Sequence, residues 1–327
     1  MTAEVVQPET VAPVRLENFP IVFFATVMGL SGLALAIMKA EHVLGRSPAI
    51  GPAVAVVALA VFVVLAILYA AKAIRYPHAV TEEWHHPVRL SFFPAVSISL
   101  ILIGTAFRAI HPQAAFALWA FGAGLQIVAT LAVVSAWIGQ RPFEPKQMTP
   151  AWFIPAVGNI IVPIAGVEFG MTEISWFFFS VGLVFWIVLL TLVFNRMVFH
   201  DPLPGRLLPT LMILVAPPSV GFVAWARLTG TLDPFGRILF GAAILFALIV
   251  LTQAGKLRRL GFVMSFWAYS FPLAALTIAT FTYAEMSNSI VHRNTGLALA
   301  VLTTIVICGL LARTGLAIHR REICRPE

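Results

Sequence analysis

Charge is scarce in this sequence. Only 11% of its 327 residues are Asp, Glu, Lys or Arg, against 60% hydrophobic, and the mean hydropathy is +0.94. Such a composition excludes a water-soluble domain and describes a polytopic membrane protein. Cysteine is scarcer still. Cys308 lies in an apolar run and Cys324 in a polar tail, an arrangement that excludes a disulfide framework and a cysteine metal knuckle. Acidic residues number 14 against 21 Lys and Arg, but the excess of +7 falls in short loops between apolar runs. There it orients a membrane chain rather than binding nucleic acid. No H-E-x-x-H, G-x-S-x-G, P-loop or Rossmann fingerprint occurs, so no enzyme, cofactor or metal site is expected. The N-terminus also lacks the basic start and small-residue cleavage site of a signal peptide.

What the chain does have is apolar length. Hydropathy marks ten runs, at about 17–39, 50–74, 88–110, 113–137, 150–168, 173–196, 207–229, 234–255, 262–284 and 293–318. Residues 1–16 read as a disordered cytoplasmic lead-in, 17–318 as one ten-helix domain, and 319–327 as a cytoplasmic tail. With the N-terminus inside, cytoplasmic segments hold 15 Lys and Arg and outer loops hold 6. That bias, like an even number of spans, places both termini in the cytoplasm of a plasma membrane, the inner membrane if the cell is bacterial.

Proline alternates along these runs. Odd runs carry Pro20, Pro94, Pro155 with Pro163, Pro217 with Pro218, and Pro272, whereas even runs have none in their interiors. A proline inside a helix removes a hydrogen bond and bends the chain. The pattern predicts five helical hairpins, with five kinked odd helices inside around an axis and five regular ones facing lipid. The ninth run is the most telling. No charged side chain falls between Phe262 and Ala284, and Pro272 should free the carbonyl of Ala268 and break the helix. Phe271, just before it, is pushed from ordinary helical geometry. A broken membrane helix is tolerated only against protein or a water-filled path. Phe271 is therefore the candidate plug of a pore, and Pro20, Pro94, Pro155, Pro217 and Pro272 are its candidate kinks. Gly29, Gly104, Gly158, Gly221, Phe24 and Phe93 are further pore-lining candidates, although packing accounts equally well for each glycine.

No Asp, Glu or His is expected at mid-depth. Glu17, Lys39, Lys72, Arg89, Arg108, Glu168, Glu173, Arg196, Arg227, Arg237 and Arg293 fall near run ends, where long side chains reach the interface. An uncharged pore still selects, because an anion that dehydrates easily enters more readily. Small monovalent anions such as chloride and nitrate are the expected cargo, driven by about 2.3 kcal/mol per charge per 100 mV. The alternative is a carrier of dicarboxylates or tellurite-type oxyanions, with or without proton coupling. The loop Trp84-His85-His86-Pro87-Val88-Arg89 reads as a structural loop rather than a metal site, with Glu82 and Glu83 solvated.

Four stretches carry a family likeness: His86-Pro87-Val88-Arg89 leading into Phe92-Phe93-Pro94; Pro155-Ala156-Val157-Gly158-Asn159; Ala216-Pro217-Pro218-Ser219-Val220; and Trp267-Ala268-Tyr269-Ser270-Phe271-Pro272. In this order they resemble the family of the tellurite-resistance protein TehA, the plant slow-type anion channels and the fungal malic-acid transporters. The resemblance covers about residues 17–318. It implies an all-α membrane fold of ten helices in five hairpins, kinked odd helices around a quasi-fivefold central pore, and assembly as a homotrimer in lipid. It also implies that the ninth-helix phenylalanine, here Phe271, occludes that pore. The long phosphorylated tails of the plant channels have no counterpart in this sequence.

Overall fold

The computed structural model describes residues 15–139 and 143–324. The expected lead-in before residue 15, and Arg141 and Arg325 of the charge count, lie outside the described residues. Among the described residues every regular element is helical. In chain order the α-helices are α1 (Phe24–Val43), α2 (Ile50–Arg75), α3 (Pro77–His85), α4 (Ala95–Phe107), α5 (Pro112–Gly139), α6 (Phe153–Val157), α7 (Pro163–Gly166), α8 (Thr172–Phe199), α9 (Ala216–Thr229), α10 (Pro234–Thr252), α11 (Ala254–Leu257), α12 (Ser270–Ser287) and α13 (Ile290–His319).

Nine helices among the described residues are long and apolar enough to cross a membrane, and the stretch Pro150–Gly166 is a shorter apolar helix. It is broken into 3-10 pieces (Pro150–Trp152, Gly158–Ile161) and the α pieces α6 and α7. A 3-10 turn rises about 2.0 Å per residue against about 1.5 Å in an α-helix, so these residues reach roughly 29 Å, close to the thickness of the hydrocarbon core.

The prolines act differently from the expectation. They do not kink continuous α-helices at mid-length. The odd segments enter as 3-10 helix, at Ile21–Phe23, Arg89–Phe92, Pro150–Trp152, Gly205–Val215 and Met264–Tyr269, and then become α-helical. Pro94 caps α4, and Pro217 and Pro218 open α9 as its second and third residues. Pro155 is third in α6, Pro163 first in α7 and Pro272 third in α12. Pro20 caps the 3-10 turn that leads into α1. Each is an N-cap or one of the first three residues of its element, where a proline ring is accommodated. The break near Pro272 coincides with a change of helix type at Ser270.

Burial separates two layers. In Ile21–Val43, Arg89–Phe107, Gly205–Thr229 and Met264–Ser287, 67–89% of the most apolar stretch is buried, against 17–33% in α2, α5, α8, α10 and α13. The inner segments touch in cyclic order: α1 on α4, α4 on Gly158–Ile161, that turn on α9, α9 on α12, and α12 back on α1. Each inner segment also packs on the long helix that follows it.

The outer helix α5 repairs the most broken inner segment. Trp119 Nε1 donates to the carbonyl of Val162 at 3.0 Å, and Gln126 Nε2 donates to that of Pro155 at 3.0 Å. The Thr130 hydroxyl reaches the same Pro155 carbonyl at 2.7 Å, and Asn159 Nδ2 donates to Thr130 at 2.9 Å. Spaced by seven and four, these α5 residues share one helical face and supply what an interrupted backbone needs away from water.

Gly104 permits that closeness elsewhere on α5. A Cβ there would stand 2.7 Å from the Trp119 amide nitrogen and 2.8 Å from the Ala115 carbonyl, both backbone atoms that cannot turn aside. Gly104→Ala is therefore expected to cost about 1–3 kcal/mol by overpacking. Gly124→Ala, with nothing within 4 Å, should be neutral or stabilising in the same thermal melt.

Two basic residues expected to reach the interface are instead buried. Arg196 is 3% exposed, and its Nε and Nη1 find no partner among the described residues. Lys72 pairs at 3.0 Å with Glu83, each side chain being 2% exposed. Glu83 is therefore not solvated, although Glu82 is exposed. The reason is local: α3 folds back on α2 and brings the carboxylate to the ammonium. Tyr69 donates to Glu83 at 2.8 Å, Lys72 donates to the carbonyl of Phe19, and the Ile21 N–H donates to Glu83. The pair fastens the start of the first inner segment to α2 and α3.

Candidate functional site

The inner segments line a partly open cavity of about 70 Å³. All five contribute to its wall: Ala25 and Met28 from α1, Phe92 and Ile98 around Pro94, and Phe153, Val157 and Gly158 from the most broken segment. Ile213, Ala216, Pro217 and Val220 come from the fourth, and Trp267, Ala268, Phe271 and Pro272 from the fifth. No residue on this wall is ionisable. Apolar walls give an entering ion no compensation for its hydration, so they raise a barrier by dewetting as well as by width.

Phe271 is second in α12, where the 3-10 stretch Met264–Tyr269 gives way to α-helix. It is 9% exposed. A Cβ on Gly32 of α1 would stand 3.3 Å from its Cδ2, so the ring packs closely beside that glycine. The neighbouring turn is fixed from outside the cavity. Trp267 Nε1 donates to Thr314 of α13 at 2.9 Å, and the Ser270 hydroxyl donates to the carbonyl of Trp267 at 2.6 Å.

Of the residues singled out in the sequence, Phe271, Pro272, Pro217 and Gly158 meet on this wall. Pro20, Pro94 and Pro155 sit at the helix starts described above and not on the wall itself. The other candidates turn elsewhere. Gly29 faces Ser270, whose Oγ would lie 2.3 Å from a Cβ, so it lets α1 approach α12 just beside Phe271. Gly104 faces α5, and Gly221 faces Leu239 of α10. Phe24 makes edge contacts with Phe62 and Tyr69 of α2, and Phe93 does so with Tyr69 and Trp84. The structure thus places these five at helix contacts, because inner helices apolar on every side carry no pattern that marks the face toward the axis.

The aromatic wall residues Phe92, Phe153 and Trp267 were not foreseen. A signal existed for two of them: Phe92 and Phe153 each precede a helix-opening proline, Pro94 and Pro155, by two residues. The His85-His86 loop is structural in its hydrogen bonds, since His86 Nδ1 accepts the N–H groups of Val88 and Arg89 at 3.2 Å.

A family model described as voltage-dependent anion channel, SLAC1, matches residues 18–315. The S-type anion channel SLAH3 of Arabidopsis thaliana is 28% identical over 95% of this chain and 50% of its own length. The guard cell S-type anion channel SLAC1 of the same plant is 28% identical over 91% of this chain and 56% of its own. The chain therefore spans about half the length of these plant relatives. The tellurite resistance protein TehA homolog of Haemophilus influenzae is 27% identical, covering 88% of this chain and 90% of that one.

Proposed function

The chain belongs to the voltage-dependent anion channel family, and from that premise we propose that it passes small monovalent anions, chloride and nitrate among them, through an uncharged conduit closed by the ring of Phe271. The observation that carries this reading is the cavity wall, drawn from all five inner segments and free of ionisable groups. In this reading Pro150–Gly166 is the tenth crossing and the cyclic contacts of the inner segments make a quasi-fivefold tube. Both termini are cytoplasmic, and three copies assemble in the membrane with one conduit each. The cargo is moved and not chemically changed.

With no fixed charge at the neck, selection follows dehydration, and nitrate should pass more readily than chloride, with malate slowest. The protein reconstituted in planar bilayers tests this. Fast, linear, pH-independent anion current in that order supports the proposal; absence of anion permeability in wild type and Phe271→Ala alike overturns it. The second reading, a carrier of dicarboxylates or tellurite-type oxyanions, draws on the near full-length match to the tellurite resistance relative. Saturable flux that tracks a proton gradient would establish it instead.

A further inference from the structure

The inner segments run parallel, and the ends away from the chain termini each carry an ionisable side chain: Lys39 on α1, Arg108 after α4, Glu168 after α7, Arg227 on α9 and Glu285 on α12. Ion pairs join them in two groups. Arg108 and Arg227 both pair with Glu168, the second at 2.7 Å, and Lys39 pairs with Glu285 at 2.5 Å. Their side chains are 18–44% exposed, so they are neither sealed in protein nor freely solvated. A neighbouring acid, Glu41, is turned away, accepting the N–H groups of Ala49, Ile50 and Gly51 at the start of α2. His42 lies 3.8 Å from Glu285 and is mostly exposed.

We infer that these five residues form a charge ring that recruits small anions to the mouth opposite the termini. This rests on the channel reading above and adds to it a second selecting element, separate from the apolar neck. Three cations against two carboxylates leave one net positive charge. The ring is held by its own ion pairs, so the charge is fixed in place before an anion arrives. Glu168 has a particular part. By bridging two guanidiniums it positions both and damps their field, keeping the mouth attractive without making it a trap from which an anion cannot leave.

Opposite changes of ring charge test this. Glu168→Gln raises the net charge to two, and Arg227→Gln lowers it to zero. At about 10 mM salt, where the Debye length is about 30 Å, anion current should rise about two- to threefold in the first and fall about as much in the second. At about 1 M, with a Debye length near 3 Å, both should approach wild type. Arg227→Lys, which keeps the charge, should restore most of the low-salt current. The series is recorded in wild type and repeated in a Phe271→Ala background, with thermal melts of each protein. If both variants move current in the same direction, or the shifts ignore salt while wild type conducts, the ring is only a structural clasp and the inference is wrong. If neither wild type nor Phe271→Ala passes anions, the channel reading fails and the ring fails with it.

Discussion

Phe271→Ala is expected to raise anion conductance about ten- to a hundredfold over wild type, the equivalent of taking roughly 1.4–2.8 kcal/mol off the barrier at the narrowest point. The expectation follows from where the ring sits. It packs beside Gly32 of α1 and lines a cavity whose wall also holds Phe92, Phe153 and Trp267 and no charged group. Removing it widens the neck and shortens the dry stretch an anion must cross, and the two effects act in the same direction. The ring is also a buried contact, so its loss is expected to cost stability, up to about 3–5 kcal/mol for a full Phe→Ala deletion in a core. Phe271→Leu separates the two consequences: it keeps the apolar packing, and its conductance should fall between the others. Single-channel or macroscopic current in planar bilayers, normalised to folded protein, is the measurement. Unchanged current in a folded Phe271→Ala protein would remove Phe271 from the gate.

Much of the architecture is legible in the sequence, for a physical reason. Hydropathy reports which segments cannot face water, and proline reports where an N–H is absent, so helical membrane class and alternation of segment type can both be read from composition and spacing. What proline cannot report is the hydrogen-bond register around it. Gly205–Val215 is a 3-10 stretch of 11 residues with Pro209 inside it. Nothing in its apolar letters distinguishes that from an α-helix, since both satisfy the backbone within the segment. Facing was equally hidden. Phe24 and Phe271 are both buried phenylalanines on inner helices, yet one meets Tyr69 of α2 and the other the cavity. Lys39, Arg108, Glu168 and Arg227 were visible individually near the ends of their runs, whereas Glu285, just past the ninth run, was not singled out. Their grouping depends on five segments ending side by side, which no single run encodes. Phe271 stood out because the Ser-Phe-Pro step falls in a charge-free run, and the structure puts that step at the junction of two helix types.

The second large effect lies at the opposite end of the bundle, where Lys72 and Glu83 are both 2% exposed. Removing one member of a buried pair leaves the other charge without compensation, at a cost of about 3–5 kcal/mol. Lys72→Met strands the Glu83 carboxylate with, among the described residues, the Tyr69 hydroxyl and the Ile21 N–H to hold it. Glu83→Gln removes the counter-charge and leaves the buried ammonium with neutral acceptors such as the carbonyl of Phe19. Each single variant should therefore melt far below wild type. The double variant Lys72→Met/Glu83→Gln removes both charges and should recover a substantial part of the loss, because two neutral side chains carry no ionic desolvation penalty. In a double-mutant cycle this appears as coupling well above the 0.3–0.5 kcal/mol scatter found between independent sites. Tyr69→Phe should cost less than either single variant, about 1–3 kcal/mol, as it removes one donor to the carboxylate and leaves the charges paired. Thermal unfolding of the purified proteins in one detergent measures all four. Additive losses would mean that Lys72 and Glu83 act independently, and the first inner segment would then owe its position to packing alone.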